Sequence, residues 1–282
     1  MPSNKAIKRR LASVKSTQKI TRAMNMVAAS RLQKNKAYLT QSRSFFTETE
    51  KTINRLKNMQ DISENIFFMP KKVDSTAYLV ITSDRGLCGG YNTNVMEKAL
   101  IHMNERENEK IIAIGLKGDE YFGKHGKNIL SRYDDVSEAA FYDEAERITT
   151  LLLELYTSGE VDEIYIAYTQ FESVLTHVPR LKKILPLEKD AETLSQFDDM
   201  QYEPDVTFFL EHAISMYLSA LIYTVLLESF SCEQAARMLS MDTAVTNASD
   251  ILTKLTHIYN RSRQAAITQE ISEVVSNTNI SN

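Results

Sequence analysis

LEHAISMYLSALIYTVLLESFSCEQAARMLSMDTAVTNASDILTKLTHIY, residues 210–259, contains neither glycine nor proline. Positions alternately three and four apart read Leu210, Ala213, Tyr217, Ala220, Thr224, Leu227, Ser231, Gln234, Met238, Met241, Val245, Ala248, Leu252, Leu255 and Tyr259. Twelve of these fifteen are apolar, the pattern of a helix that buries one stripe along its length. The breaker-free stretch covers 205–282, and a second covers 3–69. There the stripe is Ile7, Leu11, Val14, Gln18, Thr21, Asn25, Ala28, Leu32, Asn35, Leu39, Ser42, Phe46, Thr49, Ile53 and Leu56, nine of fifteen apolar. Gln18, Thr21 and Asn25 thin this seam, and Ile20, Met24 and Val27 form a second apolar line beside it. Loops ordinarily need Gly and Pro, so each stretch reads as one long helix.

All eight glycines lie between Gly86 and Gly159. In that region Ala77–Thr82 (AYLVIT), Ile111–Gly115 (IIAIG) and Glu163–Gln170 (EIYIAYTQ) read as strands, with Leu181–Leu187 a further candidate. Helical pattern falls at Tyr91–Glu107, Lys117–His125 and Tyr142–Ser158. Alternating strand and helix predicts a mostly parallel sheet covered by helices. The predicted fold class is α/β: a Rossmann-like α/β domain over 71–204, with terminal helices over 1–70 and 205–282 forming an antiparallel left-handed coiled coil.

At about 1.5 Å per residue, helices of 78 and 60 residues would span roughly 115 Å and about 90 Å. A central body with a radius of gyration of about 14 Å could not cover them, so they are expected to project together and bury their stripes on each other. The last helix should outrun the first, leaving the tip Tyr259–Val275, with Ile267, Ile271, Val274 and Val275, in need of a surrounding partner. Ser276–Asn282 reads as a frayed end. The uncharged stretch Ala213–Leu227 is short for a bilayer and is interrupted by Ser215, Ser219 and Thr224. It reads as a helix segment packed against both the first helix and the α/β body.

The net charge of −4 hides a segregation. Residues 1–47 carry eleven Lys/Arg and no Asp/Glu, whereas 71–204 carry 15 basic and 25 acidic side chains. A 43% apolar chain of 282 residues excludes a disordered tail or a collagen, and two cysteines exclude a disulfide scaffold and fit a reducing compartment. No apolar leader follows Met1. Catalytic signals are weak. The loop Ser83–Asn94 (SDRGLCGGYNTN) sits where phosphate loops sit but is neither G-x-G-x-x-G nor followed by G-K-[ST]. The five histidines are scattered, so no metal or cofactor is expected and no catalytic residue is assigned. Two rivals remain: the basic arm fits a helix that grips nucleic acid, and the Gly86–Gly90 loop fits a nucleotide-using enzyme. The lack of any aromatic before Tyr38 and the intervening α/β body weigh against the first.

The segments IKRRLASVKSTQKITRAMNMVAASRL (Ile7–Leu32), SDRGLCGGYNTN, EQAARMLSMDTAVTNASDIL (Glu233–Leu252) and YNRSRQAAITQEISEVV (Tyr259–Val275) resemble, in order, the gamma subunit of bacterial F-type ATP synthase. The resemblance implies a central-stalk rotor without an active site of its own. Its coiled coil would turn inside a ring of three alpha and three catalytic beta subunits. Its body would sit near the epsilon subunit and the proton-driven c ring, peripheral on the cytoplasmic face of the bacterial inner membrane. By the same resemblance Lys19, Arg22, Met24 and Arg31 would lie near an acidic loop of the beta subunits, and Arg85 and Cys88 would face them from the body. Glu233, Gln234 and Arg237 would make a polar catch with the ring. Arg263, Gln264, Thr268, Gln269 and Glu270 would meet its bearing, and Tyr202 and Glu203 the c ring. The chain lacks the inserted cysteine pair of the chloroplast form, so thiol control is not expected.

Overall fold

The computed structural model describes residues 4–56, 65–69, 71–106, 108–187 and 206–280. The chain forms α1 (Asn4–Leu56), β1 (Thr76–Ile81), α2 (Tyr91–Met103), β2 (Glu109–Ile114), α3 (Leu116–Lys124), β3 (Ile129–Tyr133), α4 (Phe141–Thr157), β4 (Glu163–Phe171), β5 (His177–Leu185) and α5 (Val206–Ile280). It packs as two compact units, Met1–Ala29 with Arg237–Asn282, and Ser30–Ala236.

The breaker-free stretches hold uninterrupted helices of 53 and 75 residues. Every stripe position of α1 and of α5 is buried or half-buried. In the unit built from the two chain ends, Gln18 Nε2 donates to Ser249 Oγ at 2.7 Å and Asn25 Nδ2 to the Met238 carbonyl at 2.9 Å. In the larger unit, Asn35 Nδ2 donates to the Leu227 carbonyl at 2.9 Å and to Ser231 Oγ at 2.6 Å. Partner numbers fall on α5 as they rise on α1, so the helices run antiparallel. The polar seam positions therefore do more than thin the stripe: their directional bonds fix its register.

Beside the seam, Ile20 and Val27 are 60% and 54% exposed and Met24 is half-buried, so the second apolar line lies outside it. Two expectations about the helices are corrected. The described part of α1 ends at Leu56, and 65–69 form a turn. Asn65 Oδ1 accepts the Phe67 N–H and its carbonyl the Phe68 N–H, both at 3.0 Å, a local alternative to helix that Asn offers readily. The α5 backbone is helical to Ile280, beyond the predicted fraying at Ser276.

In the larger unit the sheet order is β3-β2-β1-β4-β5. The first four strands are parallel and β5 is antiparallel to β4. Central β1 is buried at every residue, as a parallel strand covered on both faces must be. The sequence reading missed β3, whose ILSRY alternates half-buried with exposed and has no branched apolar run. It started β5 too late because Pro179 and Arg180 look unlike a strand, yet an edge strand tolerates proline. Ala213–Leu227 lies, as expected, in one apolar cluster with residues of α1, α4, β1 and β4.

Strand order reverses between β1 and β4, whose carboxyl ends frame the crevice where open α/β sheets take ligands. Here α5 occupies that mouth. Cys232 Sγ donates to the Thr169 carbonyl at 3.5 Å, and the Thr169 N–H points at Ser229 Oγ at 3.4 Å. From the β1 side, buried Tyr91 hydrogen-bonds Ser229, and burial together with Glu233 holds its phenol well above the usual range. Arg43 of α1 donates through Nε to Glu228 Oε1 at 2.8 Å and through Nη2 to the Phe171 carbonyl at 2.6 Å. The Phe171 N–H in turn binds the Glu228 carboxylate. Burial pushes that carboxyl up, and the Arg43 and Phe171 bonds oppose the shift.

Beside the mouth, Thr82 Oγ1 donates to the Ile114 carbonyl and accepts the Gly118 N–H, each at 2.9 Å. Gly115 has φ +89°, and a Cβ there would lie 2.4 Å from the Thr82 carbonyl oxygen. Positive φ and backbone clash together make Gly115→Ala destabilising by about 3 kcal/mol, read as a lowered urea midpoint of the α/β signal.

At the opposite end of the sheet the fully buried Tyr78 places its hydroxyl 2.7 Å from His102 Nδ1. The groups facing this corner are Glu105 and Arg106 in the turn after α2, Glu109 on β2, Tyr165 and Glu163 on β4, and Lys183 on β5. Burial and then Arg106 hold the His102 imidazole below its ordinary value. The unfolded chain therefore takes up this proton before the folded chain does. The contribution to stability is complete above 6.5 and is lost as pH falls below it. Urea midpoints should drop between about pH 7.5 and about pH 5.5, and His102→Gln should drop less. His177, also held low by burial, keeps the remaining slope above zero.

Candidate partner interface

On α1, Lys19, Arg22 and Arg31 are exposed and Met24 is half-buried. Helical periodicity sets Lys19 and Arg22 on one flank of the seam and Met24, with Ile20, Val27 and Arg31, on the other. The basic motif is thus two flanks, one cationic and one apolar with a cation one turn on. The sequence reading set the exposed apolar members, Ile20 and Val27, beside the seam but gave them no interface role. The signal that could have found them is their offset from a stripe already complete without them.

The loop Ser83–Gly90 joins β1 to α2 and is held from within. Asn92 Nδ2 donates to Ser83 Oγ at 2.7 Å and to Cys88 Sγ at 3.3 Å, and the Ser83 N–H donates to Asn92 Oδ1 at 2.9 Å. Asp84 Oδ1 accepts the Leu116 N–H at 3.0 Å. This frame turns Arg85 and Leu87 outward, Leu87 being 62% exposed at φ 65°. Cys88 is 2% exposed, so in this chain it packs beneath the loop and does not face outward. Leu87 is the side chain the sequence reading missed, since nothing in LCGG marks it as the one turned out. Cys232 is buried too, and burial raises its thiol far above the ordinary value.

On α5, Gln234 and Arg237 are buried and Glu233 is half-buried, with Gln234 Nε2 3.4 Å from Glu233 Oε1. Arg263, Gln264, Thr268, Gln269 and Glu270 are exposed and near-consecutive, while Thr268 Oγ1 bonds back to the Gln264 carbonyl. Ile267, Ile271 and Val274 beside them are 47%, 59% and 66% exposed. Tyr202 and Glu203 lie outside the described residues. Among the described residues no three His, Cys, Asp or Glu side chains gather as a metal site. The structure thus presents surfaces: a two-flanked α1, one loop tip and the end of α5.

The sequence matches the family model described as ATP synthase over residues 3–279. It is 42% identical to the ATP synthase gamma chain of Alkaliphilus metalliredigens over 276 residues, 96% of each chain. It is 37% identical to the ATP synthase gamma chain, sodium ion specific, of Acetobacterium woodii, over 95% of each chain. The fold is similar to a chain in the central stalk and c-ring structure of Tetrahymena thermophila mitochondrial ATP synthase. The TM-score there is 0.65 at 24% identity, covering 80% of this chain and 99% of that one. It is also similar to a chain of the Euglena gracilis mitochondrial enzyme, with a TM-score of 0.71 at 16% identity, covering 98% and 93%. With one family matched from end to end and relatives this similar over nearly their whole length, the chain belongs to the ATP synthase family, among its gamma chains.

Proposed function

We propose that the chain is the central-stalk rotor of a bacterial F-type ATP synthase, turned by ion flow through a c ring and turning within three alpha and three beta subunits. It makes no bond to nucleotide phosphates. It contacts each beta subunit differently at each angle and so shifts that subunit between conformations of different nucleotide affinity. The epsilon subunit and the c ring are its neighbours at the body, on the cytoplasmic face of the membrane. The observation that carries this reading is on α1 and α5. Both bury a complete stripe, yet Ile20, Val27, Ile267, Ile271 and Val274 still face outward. Apolar groups on helices already paired need a further surface to cover them.

The cationic flank (Lys19, Arg22) and the apolar flank (Met24, Arg31) are assigned to the beta subunits, with Arg85 and Leu87 meeting them from the body. Glu233 forms the outer part of the catch with the ring, over the buried Gln234 and Arg237. Arg263, Gln264, Thr268, Gln269 and Glu270 ride against its bearing, and Tyr202 and Glu203 reach the c ring. The basic-helix nucleic-acid reading gains nothing from the family membership. The nucleotide-enzyme reading meets a sheet mouth closed by Ser229 and Cys232.

Co-expression with alpha and beta subunits tests the reading: the chain should co-purify with both. Val27→Asp leaves the isolated chain within about 0.5 kcal/mol of wild type because the side chain is exposed, but it should weaken assembly or coupled ion pumping. Unchanged assembly and pumping would place Val27 on free surface. Removing Ser276–Asn282 should be tolerated, whereas removing everything from Tyr259 should abolish stable assembly. Equal assembly of the two truncations would remove the bearing from the proposal.

A further inference from the structure

The sheet mouth is closed by the chain's own helices, and the closure is unequal in kind. Most of it is apolar: Tyr91, Cys88, Leu226, Leu227, Cys232 and Ala235 share one cluster. Such contacts resist separation and, through interdigitated side chains, oppose sliding, but they fix angle less sharply than directional bonds do. Directional bonds hold that angle: the neutral ones at Thr169 and Asn35, and one charge-assisted group. The Arg43 guanidinium forks to Glu228 Oε1 and to the Phe171 carbonyl, and Glu228 takes the Phe171 N–H. Phe171, the last residue of β4, is therefore held to α1 through its oxygen and to α5 through its nitrogen. Glu228 is 6% exposed and stands where the carboxyl end of β4 meets both long helices. Charge-assisted, forked bonds fix angle and distance together.

We propose that Arg43 and Glu228 are a torsional lock: positioning residues that make the sheet and the helix pair turn as one, so that a turning force on the body reaches the helices without slip. The proposal rests on the rotor reading. It gives the ligand mouth of an α/β sheet a mechanical use, with an ion pair where other sheets hold a substrate. Lysine could keep the charge of Arg43 but could not reach Glu228 and Phe171 together.

The test uses the assembled complex with alpha and beta subunits, fixed to a surface through beta, with a gold nanorod attached at Thr150→Cys on the exposed face of α4. The rod's angular spread is recorded during pauses in ATP-driven rotation. Arg43→Lys and Glu228→Gln should each broaden that spread by about twofold, because one restraint on the helix pair is loosened while the apolar closure persists. The Arg43 side chain is 43% exposed, so the lysine variant is expected to fold. Wild-type spread in both assembled variants overturns the lock, even if their urea midpoints fall, since a merely stabilising pair would lower the midpoint alone. A wild-type rod that does not turn overturns the rotor reading itself and the lock with it.

Discussion

The fold depends on two long helices finding one register. An apolar stripe cannot choose that register alone, because a small-residue seam such as Ala28, Ala220 and Ala248 packs comparably after a shift of one turn. Amides decide it. Asn35 is 1% exposed and bonds a main-chain carbonyl and a hydroxyl of α5, so any slip would leave a buried polar group unsatisfied. Asn25 does the same with the Met238 carbonyl in the other unit. The residues that dilute the hydrophobic pattern therefore specify the pairing.

The α/β unit reuses a general solution for a different end. Parallel strands with a reversal at β1/β4 create a mouth, and here α5 presents Ser229 and Cys232 to it while Arg43 and Glu228 close its rim. Polar groups that might have held a ligand instead meet a helix. This accounts for the glycine-rich loop without any phosphate chemistry. Its hydrogen bonds point inward to Ser83, Cys88 and Asn92, and its tip offers a leucine.

Much of this was legible in the sequence. The stripe from Leu210 to Tyr259 and its breaker-free run gave α5 to within a few residues, because a period kept for so many turns has few alternatives, while the run at 3–69 outran the described α1. The central strands were legible because full burial demands continuous apolar residues. What escaped was local or relational. The turn at 65–69 is held by Asn65, edge strands β3 and β5 have mixed surroundings, and the exposure of Ile20 and Val27 depends on which face of α1 its partner covers. The site was legible as a set of motifs through family resemblance, but not as geometry. Leu87 and the Arg43–Glu228–Phe171 junction depend on residues far apart in the chain.

The burial of both cysteines has a practical side. Cys88 lies under its loop and Cys232 in the sheet mouth, each at 2% exposure or less. A thiol introduced on an outer helix face would stand alone to a maleimide dye, so fluorophore pairs for distance measurements could be mounted on the natural sequence without first stripping it of sulfhydryls.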